Sequence, residues 1–255
     1  MKIKKEEIAS LMLGFGIIIL WYEGYKLSCF SFIFPLIMGC FIFHGIYKFK
    51  IIKRECEANC YFKKSSFFYR LFTKRVLIFL ISFIFSSILT VAFLIFVTDL
   101  TTKELIILFA DIFLLIFLYE IFAKNDSFEK SISPFIIKNM TAWINSIFLT
   151  ILFFIFSLYQ TPPEYIRDSL IQTVNASISK SFSQCEYINL LLSYTKYIQS
   201  IQWWFILKFS LTDIKPYIKE IVWIIFLIGN YLSILAFSKY ILEIKTFTQR
   251  VVDGK

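Results

Sequence analysis

The chain has 255 residues, 58% of them apolar, with 32 Phe, 14 Tyr, only 7 Gly and 5 Pro, and a formal net charge of +9; its mean hydropathy is +0.71. Soluble domains run at roughly 45–50% apolar. Here the apolar residues fall in blocks of bilayer-spanning length between charged clusters, which excludes an ordinary water-soluble domain and makes topology far more legible than activity.

A helix needs about 20 mostly apolar residues to cross a hydrocarbon core of roughly 30 Å. Six segments approach that length: 8–22, 27–47, 76–98, 104–122, 141–160 and 218–240. The first is the shortest. Lys2, Lys4 and Lys5 before it imitate the start of a signal peptide, but it ends in Trp21, Tyr22 and Glu23 without a small-x-small cleavage site. It therefore reads as a retained span, with its aromatic residues at the headgroup layer.

Orientation follows from Lys and Arg, which are retained on the cytoplasmic side. The stretch 48–75 carries nine basic residues against Glu55 and Glu57, so it is placed inside. Alternation then puts both termini and 123–140 inside, with 23–26, 99–103 and 161–217 outside. The expected fold is all-α, a polytopic transmembrane helical bundle of about six spans, N-in and C-in. Residues 1–160 hold spans one to five with the basic loop 48–75, 161–217 form an extracytoplasmic amphipathic helix pair, and 218–255 supply the sixth span and tail, all within one membrane domain. The basic charge is mainly a topology signal. Because Phe62, Phe67 and Phe68 interleave with Lys63, Lys64 and Arg70, the loop's second half also suits an anionic leaflet or a partner contact. Nucleic acid is disfavoured as a partner.

In 161–217, Pro162 and Pro163 sit where a helix can begin, and Ile166, Leu170, Val174, Ile178 and Phe182 recur every four residues. A second stripe, Leu191, Tyr194, Ile198, Ile201 and Phe205, has amphipathic spacing and reaches Trp203, Trp204 and Phe205, rings suited to a membrane interface or partner. A seventh span over 187–211 would bury Lys196, Gln199 and Gln202 and send the basic tail outside. The interfacial pair is the preferred reading, and a re-entrant segment is the alternative.

Asp111 lies seven residues into the fourth span, roughly 10 Å deep at about 1.5 Å per residue. Such a residue marks an ion or proton path, an oligomer contact, or a structural carboxyl bonded to a nearby Ser, Thr or Asn. His44, the single histidine, falls near the cytoplasmic interface, too far in depth to relay protons to Asp111. Glu120 is nearer in depth, although nothing in the sequence supports pairing them.

The five cysteines are scattered and odd in number, against a disulfide framework. Cys56 and Cys60 lack further ligands in metal-binding spacing, so no metal or cofactor is expected. Cys29 and Cys185 share the outer side, where a disulfide would tie the long loop to the second span; burial of Cys29 in lipid is the competing and preferred reading. No phosphate loop, nucleophile elbow or HExxH motif occurs.

The expected function is therefore non-enzymatic: a bacterial inner-membrane protein acting through protein or lipid interaction, as a homo-oligomer or part of a membrane complex. A sensor, immunity or phage-defence role rests only on an Ile, Phe, Lys and Tyr bias that suits an AT-rich mobile gene. Sparse Gly and Pro and no matching halves count against a secondary transporter. The alternative is an oligomeric ion channel or transporter with Asp111 lining its path.

Overall fold

The computed structural model describes residues 5–98, 100–124, 134–158, 163–179, 183–211 and 216–252. Every regular element among them is helical. In chain order these are α1 (Lys5–Gly24), a 3-10 turn (Cys29–Phe32), α2 (Ile33–Tyr61), α3 (Phe67–Phe72), α4 (Arg75–Thr98), α5 (Thr102–Lys124), α6 (Pro134–Leu158), α7 (Leu170–Ser179), α8 (Glu186–Leu211) and α9 (Pro216–Val252).

Local chemistry sets several starts. Thr101 and Glu104 form a reciprocal cap before α5, with the Thr101 amide donating to Glu104 Oε2 at 2.7 Å and the Glu104 amide to Thr101 Oγ1 at 3.4 Å. Pro134 and Pro216 open α6 and α9, where a missing N–H costs no helical bond.

By length and composition, five helical stretches can cross a membrane: Cys29–Tyr61, Phe67–Thr98, Thr102–Lys124, Pro134–Phe156 and Trp223–Val252. Ile8–Gly24 is a shorter apolar helix beside them. The protein is an all-α, multi-pass membrane bundle. α1 is tied to the bundle at its middle and near its C-terminal end: Tyr240 Oη donates to the Gly14 carbonyl at 3.1 Å and Tyr22 Oη to the Leu100 carbonyl at 3.0 Å.

The core is built around α9, which touches α1, α2, α4, α5, α6 and α8. Its residues Ile234, Leu235, Ala236, Phe237, Tyr240 and Ile241 are all buried. In contrast, many Phe, Ile and Leu side chains of α4, α5 and α6 point outward, among them Phe83, Ile106 and Phe148. Exposure of apolar residues at this density is expected where lipid, not water, is the solvent.

Several sequence boundaries need correction. The basic stretch 48–75 is largely helical, because α2 continues to Tyr61 and α3 follows. Lys138, expected in a loop, lies in the first turns of α6 and is buried. The last helix continues twelve residues beyond the predicted end at 240 to Val252; no Gly or Pro occurs between Gly229 and Gly254 to stop it.

The amphipathic pair forms, with α7 packed on α8, but both elements differ in detail from expectation. α7 begins at Leu170, not at the prolines, because the Ser169 hydroxyl accepts from the Gln172 amide at 3.2 Å and caps it. Pro162 and Phe182 lie outside the described residues. In α8 the buried positions are Ile188, Leu192, Thr195, Gln199, Ser200 and Ile206, whereas Tyr194 and Ile198 of the predicted apolar stripe are exposed. α8 is not among the five helices apolar enough to span.

Cys29 and Cys185 are joined, with their Cα atoms 4.9 Å apart. Beside the disulfide, Ser183 Oγ donates to the Tyr25 carbonyl at 2.5 Å and the Gln184 amide to the Lys26 carbonyl at 3.3 Å. This end of the bundle is called the disulfide face below. The opposite end, carrying Lys50, Glu120 and Lys138, is called the basic face.

Candidate functional site

Two buried polar clusters share α9. The first lies among α5, α6 and α9. Asn145 Nδ2 donates to Asp111 Oδ2 at 2.8 Å and lies 3.2 Å from Ser238 Oγ, while Ser146 Oγ donates to the Ala142 carbonyl at 2.5 Å. Asp111 Oδ1 and Asn145 Oδ1 are buried without a hydrogen-bond partner among the described residues. Two acceptors left bare inside an apolar bundle carry an energetic cost, which a proton on Asp111 or a small cation would relieve.

The second cluster centres on Glu243, one helical turn beyond Lys239, at the basic face. Lys138 Nζ of α6 donates to Glu243 Oε1 at 2.5 Å, and His44 Nδ1 of α2 lies 3.1 Å from Oε2. Lys239 Nζ donates to Asn139 Oδ1 at 2.5 Å. Glu243 and Lys138 are both buried. Gly45 makes room for the carboxylate: a Cβ there would lie 2.8 Å from Glu243 Cγ and Oε1. A cavity of about 20 Å³ between Gly45, Asn139, Lys239 and Glu243 can hold one water. Next to this cluster, Glu120 pairs with Lys124 at 2.8 Å and with Lys245 at 3.4 Å.

These contacts give the sequence-selected residues specific places. Asp111 meets Asn145, one of the partner types anticipated for a structural carboxyl. His44 meets Glu243, not Glu120, which is taken up by two lysines. The importance of Glu243, Lys138 and Lys239 is not drawn from the sequence above. A signal was present: Lys239 and Glu243 are four apart, and Glu243 is flanked by Ile241, Leu242 and Ile244 on a helix with no stop.

Two larger cavities are present, the second of which shares His44 and Glu243 with the basic-face cluster. One of about 970 Å³ opens toward the disulfide face and is walled in part by Thr101, Glu104, Gln199, Gln202, Trp203 and Ser233. The other, about 380 Å³, is a groove between α2 and α9. Asp111 lines neither of them.

Trp203 packs edge-on to Phe226 of α9, with ring centres 6.2 Å apart, and Trp204 packs edge-on to Phe205 at 5.4 Å. All three predicted interfacial rings are thus half-buried and not free at the surface. On the other side of the bundle, Lys63, Lys64 and Arg70 are exposed, beside the exposed rings Phe67 and Phe68 of α3. α3 is held to α2 by the Tyr69 hydroxyl, which donates to Asn59 Oδ1 at 3.3 Å, and by Arg54, which lies 5.1 Å over the Phe72 ring. No group of three or more metal-ligating side chains occurs among the described residues.

Compared with protein-family models, with curated proteins and with solved structures, the chain gives no match.

Proposed function

We propose that this multi-pass protein is non-enzymatic and works in the bacterial inner membrane by interaction, with α8 as the docking element for a membrane protein, a second copy included. The carrying observation is the apolar face that α8 leaves outward. It turns Ile188, Leu192, Thr195, Gln199, Ser200 and Ile206 into the bundle and leaves Tyr187, Leu190, Tyr194 and Tyr197 exposed. Those four positions are spaced three, four and three residues apart, so they share one helix face. A helix that is not itself a span gains nothing within its own fold by displaying such a stripe, and aromatic side chains are enriched at interfaces. By the basic-residue rule this face lies outside the cytoplasm.

The test is a photo-cross-linking residue placed at Tyr194, with one at buried Leu192 as control. A discrete protein adduct from the first position and none from the second is expected. Adducts to lipid alone at Tyr194 would overturn the protein-docking reading.

A second reading has its own observation, the bare oxygens of Asp111 and Asn145. In it the cluster binds a cation or proton within a conducting path. Purified protein in liposomes should then show selective flux that Asp111→Asn abolishes while leaving insertion intact. Absence of flux under voltage and pH gradients removes this reading.

A further inference from the structure

The groove between α2 and α9 holds about 380 Å³, within the roughly 300–1,000 Å³ range of ligand pockets. Its length is apolar, walled by Leu36, Ile37, Cys40, Phe41 and Phe247, and its polar end is formed by His44, Glu243 and Arg250. Both flanking helices belong to stretches that can cross a membrane, so lipid is the medium at the groove's side.

The polar end carries excess positive charge. Glu243 is engaged by both Lys138 and His44. Arg250 is exposed and has no carboxylate partner among the described residues. Lys138 and Lys239 add two more cations behind it against the one carboxylate. An apolar channel ending at an unpaired guanidinium matches a molecule with a hydrocarbon chain and an anionic head. Basic pockets between membrane helices at an interface characteristically take phospholipid headgroups, and guanidinium suits phosphate because it can donate in a fork.

We propose that this groove is a binding site for an anionic membrane phospholipid, with one acyl chain along Leu36, Cys40 and Phe247 and the phosphate at Arg250. It is independent of the α8 docking reading, since the two surfaces share no residue.

The test is native mass spectrometry of the full chain in detergent, titrated with dioleoyl-phosphatidylglycerol or with dioleoyl-phosphatidylcholine of identical chains. Wild type is expected to retain phosphatidylglycerol preferentially. Arg250→Gln should lower that preference roughly fivefold, the contribution of one basic residue near an anionic headgroup. Cys40→Trp, which fills the groove from an exposed position, should reduce retention of both lipids. Lys103→Gln, an exposed basic residue at the opposite end of the bundle, should change nothing. Equal retention of the two lipids by wild type overturns the proposal, as does a loss in Lys103→Gln as large as in Arg250→Gln. Full displacement by glycerol phosphate would show an anion site without a chain seat and would likewise overturn it. Circular dichroism of each variant confirms its helicity, and Arg250, near the end of α9, can be exchanged without touching the core.

Discussion

At the scale of single residues, Glu243 is the side chain on which the basic end of the bundle depends. It is one buried acid serving Lys138 and His44, with Lys239 close behind. Removing one partner of a buried ion pair strands the other and costs about 3–5 kcal/mol. Glu243→Gln is therefore expected to lower the thermal midpoint in detergent sharply. Lys138→Met should cost less, because His44 still faces the carboxylate, and Lys138→Met with Glu243→Gln should recover part of the single-variant loss. Additive losses in that cycle would show that the pair does not act as a unit. Gly45→Ala is the independent check. Its Cβ must push Glu243 aside, an overpacking cost of roughly 1–3 kcal/mol. Asp111 was legible in the sequence because one charge in an apolar run is conspicuous. Glu243 was harder to see because it follows the apolar run, where a charged residue normally marks the end of a span, and only three-dimensional packing shows that α2 and α6 cover it.

At the scale of elements, five of the six expected spans were readable from block length as long apolar helices, while the first is a shorter apolar helix, Ile8–Gly24; the register of α8 was not readable. Periodicity identifies a helix with two unlike faces but does not say which faces inward. In water the apolar face turns in. At a membrane mouth that rule loses force, and Gln199 turns inward to donate to the Ile95 carbonyl at 2.7 Å, while Tyr194 and Ile198 face out. The prolines misplaced the start of α7 for a related reason: a Ser cap further along competes with Pro as a start signal. The α7–α8 unit is fastened to the bundle by Cys29–Cys185, whose partners are 156 residues apart, and by the Ser183 and Gln184 hydrogen bonds. Reduction should therefore loosen this unit while the spans stay folded. Limited proteolysis should show new cleavage in 163–186 after reduction with helicity nearly unchanged, and Cys185→Ser should reproduce it. Cys185→Ser with Ser183→Ala should be cut faster still. Protection equal to the oxidised protein would mean that the packing of α8 on the bundle and its hydrogen bonds hold the unit without the disulfide.

At the scale of the whole molecule, the contacts group chain segments into two ends. Residues around Tyr22, Cys29, Leu100 and Cys185 gather at one end, and Lys50, Glu120, Lys138 and Glu243 at the other. This grouping fixes which segments share a side of the membrane but not which side is the cytoplasm. Charge supplies that step: the exposed cations of 48–75 belong to the second end and should be held inside, and a disulfide at the first end suits an oxidising compartment. The free cysteines make the assignment measurable. Cys56 and Cys60 are exposed at the basic end, so a membrane-impermeant thiol reagent should leave them unlabelled in intact cells and label them after permeabilisation. A cysteine introduced at exposed Tyr187, with the free thiols Cys40, Cys56 and Cys60 changed to Ser, should show the reverse, labelling before permeabilisation. Because α1 meets Tyr240 at Gly14 and Leu100 at Tyr22, its N-terminal half points toward the basic end, and a cysteine added ahead of Met1 should behave like Cys56. If that cysteine instead labels in intact cells while Cys56 does not, α1 begins and ends on the outer side without crossing, and the bundle has one span fewer. Labelling of Cys56 in intact cells would invert the whole bundle, placing the α2–α9 groove and its guanidinium at the outer leaflet.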